Sequence, residues 1–172
     1  MARRGGHPGL LRGGGGEAVR LLKKFLEGVG SALTVDEERL LRINNKRFTV
    51  GEDLDNFIFR WDNLVYAGKL LGKDRKLFHP SPTLLQELAS EQGPLNRVHV
   101  NRETGWLFVC GRDVFEESIL KKEGEFEEGV LSLVTFDGSC LGYGRVERFQ
   151  GKRILKNVFD IGDFLRRERW RT

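Results

Sequence analysis

Val130-Leu131-Ser132-Leu133-Val134-Thr135-Phe136, then Asp137-Gly138, then Leu141 to Arg148, is the stretch that decides the fold class. The first run is a β-strand, Asp-Gly is a tight two-residue turn, and the segment from Leu141 is the returning strand. A second turn at Gln150-Gly151 and a last strand near Ile154 continue the pattern, and Asp160 is placed to N-cap a short terminal helix. Working back toward the N-terminus, Val98-His99-Val100 and Trp106-Leu107-Phe108-Val109 read as short strands around the Asn101–Gly105 turn. Gly111-Arg112-Asp113 leads into a short helix from Val114 to Leu120. The chain from residue 95 onward is therefore a compact, mostly β domain.

The segment before it differs. Ala18, Leu21, Leu22, Phe25, Leu26 and Val29 form one apolar stripe at helical period, and Gly28 and Gly30 end that helix. Leu41, Ile43, Phe48 and Val50 flank Asn44-Asn45, which predicts a hairpin. Phe57-Ile58-Phe59 and Leu64-Val65-Tyr66 are further β-prone runs, punctuated by Gly68, Gly72 and Asp74. Ser81 is an N-cap and Pro82 a first helical residue for a helix that buries Leu84, Leu85, Leu88 and Ala89. Glu91-Gln92-Gly93-Pro94 reads as a boundary. Residues 1–16, with seven glycines and three arginines, read as a flexible basic arm, leaving 17–94 as an α/β domain and 95–172 as the β domain.

The totals narrow the function class. The chain has 172 residues, a net charge of +4 and a pI of about 9.2, which favour an anionic partner. No apolar run is long enough to predict a membrane-spanning helix, and the N-terminus lacks the apolar core of a signal peptide. The expectation is an intracellular protein, with Cys110 and Cys140 as unbridged thiols.

Charge is also unevenly placed. From Leu141 to Thr172 nine Lys/Arg face four acids, an excess of +5, whereas residues 113–129 carry seven acids and two lysines, an excess of −5. Arg145, Arg148, Lys152, Arg153 and Lys156 fall within twelve residues around the Gln150-Gly151 turn, on a ribbon suited to displacing counterions from a phosphate backbone. The expectation is one exposed basic face, unpaired with the 113–129 acids. A solvated surface with its own salt bridges is the competing explanation. Tyr143, Phe149 and Trp170 lie among the cations, and unstacked bases need such a π-face. Gly142 and Gly144 flank Tyr143 and permit close backbone approach.

Catalytic patterns are sparse. His7, His79 and His99 are far apart, and neither paired-cysteine, nucleophile-elbow nor phosphate-loop motifs occur. Asp53 with Asp55, and Asp160 with Asp163, are explained by solvation and by helix starts. The expectation is a non-enzyme without cofactor, metal or small-molecule substrate. An enzyme with a site assembled from distant residues is the alternative.

Leu141-Gly142-Tyr143-Gly144, the basic linker, and Asp160-Ile161-Gly162-Asp163-Phe164-Leu165-Arg166-Arg167-Glu168 together resemble the end of a PUA domain. Asn63 to Lys73, Leu77-Phe78-His79-Pro80 and Gly111-Arg112-Asp113-Val114 resemble segments of the Nip-seven ribosome-biogenesis family, over roughly Ala18 to Glu168. The resemblance implies an α/β pre-PUA-like domain followed by a PUA-like β pseudo-barrel, an α+β fold without catalytic activity. It further implies maturation of large-subunit pre-ribosomal RNA, binding of U-rich RNA through the PUA-like domain, and contacts with ribosome-assembly or RNA-processing proteins through the N-terminal domain. The RNA-binding residues it implies are Arg145, Arg148, Lys152, Arg153 and Lys156, with Tyr143 as a stacking candidate. Location would be cytoplasmic in a prokaryote or archaeon and nucleolar in a eukaryote. A stand-alone PUA protein, or an accessory subunit for tRNA or rRNA modification, is the neighbouring alternative. The Gly-rich arm departs from the family pattern.

Overall fold

A computed structural model describes residues 10–12, 16–58, 64–163 and 166. The chain divides into two compact units, one reaching to Lys24 and resuming over Thr34–Leu84, the other comprising Phe25–Leu33 and the chain from Leu85. The division runs within helix α1 (Gly16–Gly28) and helix α3 (Pro82–Ser90).

The first unit holds an antiparallel five-stranded meander, β1 (Leu10–Arg12), β2 (Leu40–Ile43), β3 (Lys46–Thr49), β4 (Lys69–Asp74) and β5 (Phe78–Pro80), in that order. β2 and β3 form the expected hairpin, with Asn44 at φ 55° in its turn. Leu41 pairs with Phe48, which puts both on the face that packs with Ile43, Val50, Ile58 and Ala67. The opposite face carries Arg42 and Arg47, also cross-strand partners. Arg47 is buried and donates from Nε to Asp74 Oδ2 at 3.0 Å. Burial pushes the Arg47 pKa down and that of Asp74 up, each against the pull of its partner.

Three expectations change here. Leu10–Arg12, inside the expected arm, pair with β2, whereas 1–9 and 13–15 lie outside the described residues. Phe57 and Ile58 end a helix, α2 (Glu52–Ile58), because Ile58 reaches the core from a helical turn, and Leu64–Tyr66 form no strand. Gly72 sits inside β4 rather than ending it, since a Cβ there would meet the Phe78 ring. The two helices at the ends of this stretch hold as expected. α1 buries Leu22, Phe25 and Leu26, Val29 is buried just past its end, and Gly30 at φ 72° turns the chain away. Ser81 Oγ accepts from Leu84 N–H at 3.1 Å, capping α3.

The second unit is built on a six-stranded sheet in the order β7-β11-β10-β9-β6-β8. Its strands are β6 (Arg97–Val100), β7 (Val114–Phe115), β8 (Ile119–Glu123), β9 (Leu131–Phe136), β10 (Ser139–Phe149) and β11 (Lys152–Asp160). Its two edge strands, β7 and β8, are separated in sequence only by the 3₁₀ turn Glu116–Ser118, so the sheet must curl until its edges nearly meet. Val98, Val100, Phe108, Val114, Phe126, Val134, Val146 and Leu155 fill the resulting pseudo-barrel.

Three places in this unit correct the sequence reading. Trp106–Val109 belong to a helix, α4 (Arg102–Val109), not a strand. Asn101 is its N-cap, accepting from Thr104 N–H at 2.8 Å, and only Gly105 and Phe108 are fully buried. A four-residue apolar run carries no period, and the cap decides it. Between Val114 and Leu120 the expected helix shrinks to the single 3₁₀ turn between two strands. Asp160 ends β11 instead of capping a helix, because its buried carboxylate is taken by Arg166 Nη1 and Nη2 at 2.9 and 2.8 Å. Cys110 and Cys140 are both free thiols, the first exposed and the second buried.

Candidate nucleic-acid interface

The β10–β11 ribbon carries the five expected cations, and its register decides where they point. Gln150 at φ 50° and Gly151 at φ 78° make the two-residue turn, so Phe149 pairs with Lys152, Arg148 with Arg153, and Arg145 with Lys156. Side chains alternate along a strand, so Arg145, Lys152 and Lys156 share one face with Glu147 and Phe149. Arg148 and Arg153 share the other with Val146 and Leu155, which belong to the core.

The expectation of one unpaired basic face therefore fails, on two counts. Period-two alternation splits the cations, and most are paired. Arg148 Nε lies 3.3 Å from Glu128, Lys152 Nζ 2.8 Å from Glu117, and Lys156 Nζ 3.3 Å from Glu147. Three of the five, Arg148, Lys152 and Arg153, reach acids of the 113–129 stretch. Among the described residues Arg145 forms no ion pair.

Arg153 is a structural clamp. Its Nε and Nη2 donate to Glu116 at 3.1 and 2.9 Å, and its Nη1 to Phe126 O and Glu127 at 3.1 Å each. Lys122 of β8 donates to the same Glu116 and lies 4.8 Å from the Phe126 ring centroid, with Arg153 at 5.7 Å from that ring. Glu116 thus ties β11 to β8 across the place where the sheet edges approach. The hydrogen bonds from Arg153, then Lys122, hold its pKa below the usual range. In the same way the Lys152 hydrogen bond lowers Glu117, and Glu117 raises Lys152.

Tyr143 is not a stacking platform. It is 2% exposed, its ring lies 4.9 Å from Phe25 and 6.3 Å from Phe159, and burial pushes its hydroxyl up to about 12. The flanking glycines admit neighbouring protein, not a ligand. Gly142 has φ +146°, and a Cβ there would sit 2.7 Å from Asp160 Cα; one on Gly144 would sit 2.6 Å from Lys156 O. Phe149, at the ribbon tip, is 51% exposed, and Trp170 lies outside the described residues.

The sequence reading missed a second exposed face, on α4. Trp106 is 67% exposed, with Leu107 beside it and Arg102 one turn earlier on the same side. Gly111 at φ +89° ends α4 in a Schellman turn, donating to Phe108 O at 2.8 Å while Arg112 N–H reaches Leu107 O at 3.0 Å. That reversal leaves the Arg112 side chain exposed just beyond the helix. The loop is pinned from β11: Asn157 N–H donates to Asp113 Oδ1 at 2.8 Å, and Asn157 Nδ2 donates to Phe108 O at 2.8 Å. Arg166 donates to Val109 O while bound to Asp160, satisfying a terminal carbonyl of α4. An exposed aromatic on a braced helix, with Arg102 one turn before it and Arg112 just past the helix end, neither in an ion pair among the described residues, can stack a base and hold phosphates nearby. The signal available in sequence was Asn101 as a cap before Glu103, which would have placed Trp106 on a helix.

Among the described residues no group of three His, Cys, Asp or Glu side chains could hold a metal ion. No described helix is long and apolar enough to cross a membrane. Asp53 lies exposed on α2, and His7 lies outside the described residues.

The family model that matches this chain does so over residues 96–169, and its description is the UPF0113 PUA domain. Over that stretch, which lies in the second unit, the chain is similar to a PUA domain. Its pseudo-barrel is the PUA-like architecture, and PUA domains are generally RNA-binding. Among solved structures, a PUA domain from Aeropyrum pernix K1 matches at 14% identity, with 91% of this chain and 88% of that one covered and a TM-score of 0.56. A hypothetical protein from the hyperthermophilic archaeon Pyrococcus horikoshii OT3 matches at 16% identity, covering 90% of this chain and 98% of that one, with a TM-score of 0.52. At these identities the likeness is one of fold. No curated protein matches the sequence.

Proposed function

We propose that this protein is a non-catalytic RNA-binding protein whose PUA domain takes RNA on the exposed face of α4, with Arg102 and Arg112 on phosphates and Trp106 against a base. The observation that carries the reading is Trp106, a large aromatic left two-thirds exposed on α4, with Arg102 one turn earlier and Arg112 just past the helix end, neither in an ion pair among the described residues. An exposed indole next to an arginine offers a π-face that a base can cover. RNA supports the pairing of a π-face with cations, because single-stranded bases offer stacking surfaces and phosphates offer charge.

Within that reading, the resemblance of the chain to the Nip-seven family supports a role in large-subunit ribosome biogenesis, a preference for U-rich pre-ribosomal RNA, contacts with assembly proteins through the first unit, and the location where that RNA matures. Crosslinking in cells followed by sequencing of the attached RNA tests this finer part. Recovery of pre-ribosomal RNA with uridine-rich crosslinks is expected, and a dominant transfer-RNA signal would replace it with the modification-accessory reading. Binding itself is tested by titrating oligouridine into the full chain. Trp106→Ala should weaken binding by roughly fivefold or more, the loss of one base stack.

A further inference from the structure

The tip of the β10–β11 ribbon is a second exposed aromatic position bordered by cations. β9 pairs with β10 from Ser139 to Arg145, Val130 and Gly129 bond on to Val146, and β7 pairs with β11 at Ile154 and Leu155. The last two cross-strand pairs, Arg148 with Arg153 and Phe149 with Lys152, therefore project as a two-stranded ribbon. Both turn residues have positive φ, which matches the twist of the flanking strands, so the tip is a stiff projection. Phe149 is half exposed on the same face as Lys152, Lys156, Arg145 and Glu147, a face that also holds the buried Ile154 and, paired with it from β7, the half-exposed Phe115.

We infer that Phe149 stacks a base of single-stranded RNA, with Lys152 and Lys156 on the adjoining phosphates, as a second contact on the strand held at α4. The inference rests on the α4 reading, and the geometry links the two places. Asn157, next to Lys156, is hydrogen-bonded to the end of α4, and five residues of strand, about 17 Å at roughly 3.3 Å each, separate it from the tip. The acids now paired with Lys152 and Lys156 offer little resistance. Both pairs are solvent-exposed, and exposed pairs exchange partners at small cost. Phe115 shares this face, but Arg145, Lys152 and Lys156 on it and the exposed Arg148 beside it favour a polyanion over a protein partner.

The test uses the full chain and anisotropy titrations with labelled oligouridine, and with a duplex RNA as second probe. Phe149→Leu keeps an apolar side chain but removes the π-face, and the position is exposed, so folding is not at stake. It should weaken oligouridine binding roughly 5- to 100-fold while leaving duplex binding unchanged, and Phe149→Trp should restore wild-type affinity. Wild-type affinity in Phe149→Leu, or an equal loss on both probes, overturns the inference. If the wild-type chain binds oligouridine and Trp106→Ala weakens it while Phe149→Leu does not, only the tip contact is lost. If the wild-type chain binds neither probe, the α4 reading falls with it.

Discussion

Arg153 and Lys156 stand three residues apart on β11, carry the same charge, and serve different ends. Arg153 points inward and is consumed by Glu116, Glu127 and the Phe126 carbonyl, fastening the seam of the barrel. Lys156 points outward and holds Glu147 only through an exposed pair. A cation's value to a ligand depends on what already occupies it. A charge count along the chain sees only the first half of that statement.

The largest effect that sharpens this contrast lies beneath the outer face. Tyr143→Ala should cost about 3 kcal/mol or more of stability, the usual loss for a buried aromatic, and should do so without RNA present. Calorimetric unfolding measures it. A mutant that melts like wild type but loses RNA would restore Tyr143 as a contact residue. Gly142→Ala should be similarly damaging, since positive φ and the approach of Asp160 Cα leave no room for a Cβ.

Next in size is the seam itself. Arg153→Ala should lower the melting temperature of the chain and leave the affinity of the folded protein for oligouridine near wild type. An unchanged melting temperature with weakened RNA binding would move Arg153 from clamp to ligand. Replacing all five ribbon cations together would mix these effects.

Acid should open the same unit. Glu123 is held down to about 2 from an ordinary 4.5, first by the Lys121 hydrogen bond and then by Arg97 and His99, against the opposing effect of burial. The folded state therefore binds this proton more weakly than the unfolded one. The associated stability is fully present above about pH 4.5 and is lost as pH falls toward 2. Melting temperatures measured across that window should fall more steeply in wild type than in Glu123→Gln.

The smallest effect concerns Arg145, the ribbon cation without an ion pair among the described residues. Arg145→Ala should reduce the slope of log K against log salt by about 0.7 if it meets one phosphate of single-stranded RNA. An unchanged slope would confine phosphate contacts to α4 and the ribbon lysines.

How legible this was follows from period and pairing. The hairpins at Asn44, Asp137 and Gln150 were readable because turn chemistry and alternating runs agree there. α1 and α3 were readable from their stripes and caps. α4 was not, because Trp106 to Val109 is a single apolar block whose helical nature is declared only by Asn101. The ribbon cations were found by number but not by direction. Alternation puts Arg148 and Arg153 on the face opposite Lys152 and Lys156, Arg153 turned inward and Arg148 still exposed, and the acids that meet Arg153 and Lys152 come from a turn more than thirty residues away. Tyr143 among glycines looked like an approach site because sequence cannot tell an approaching ligand from an approaching strand.

The central claim is that RNA lies on α4, and it meets its most direct test in one titration. Trp106→Ala and Arg112→Ala, made separately in the full chain, are compared with wild type for oligouridine affinity at several salt concentrations. The account predicts weaker binding in both, with a salt slope shallower by about 0.7 for Arg112→Ala and unchanged for Trp106→Ala. Wild-type affinity and slope in both variants would contradict it.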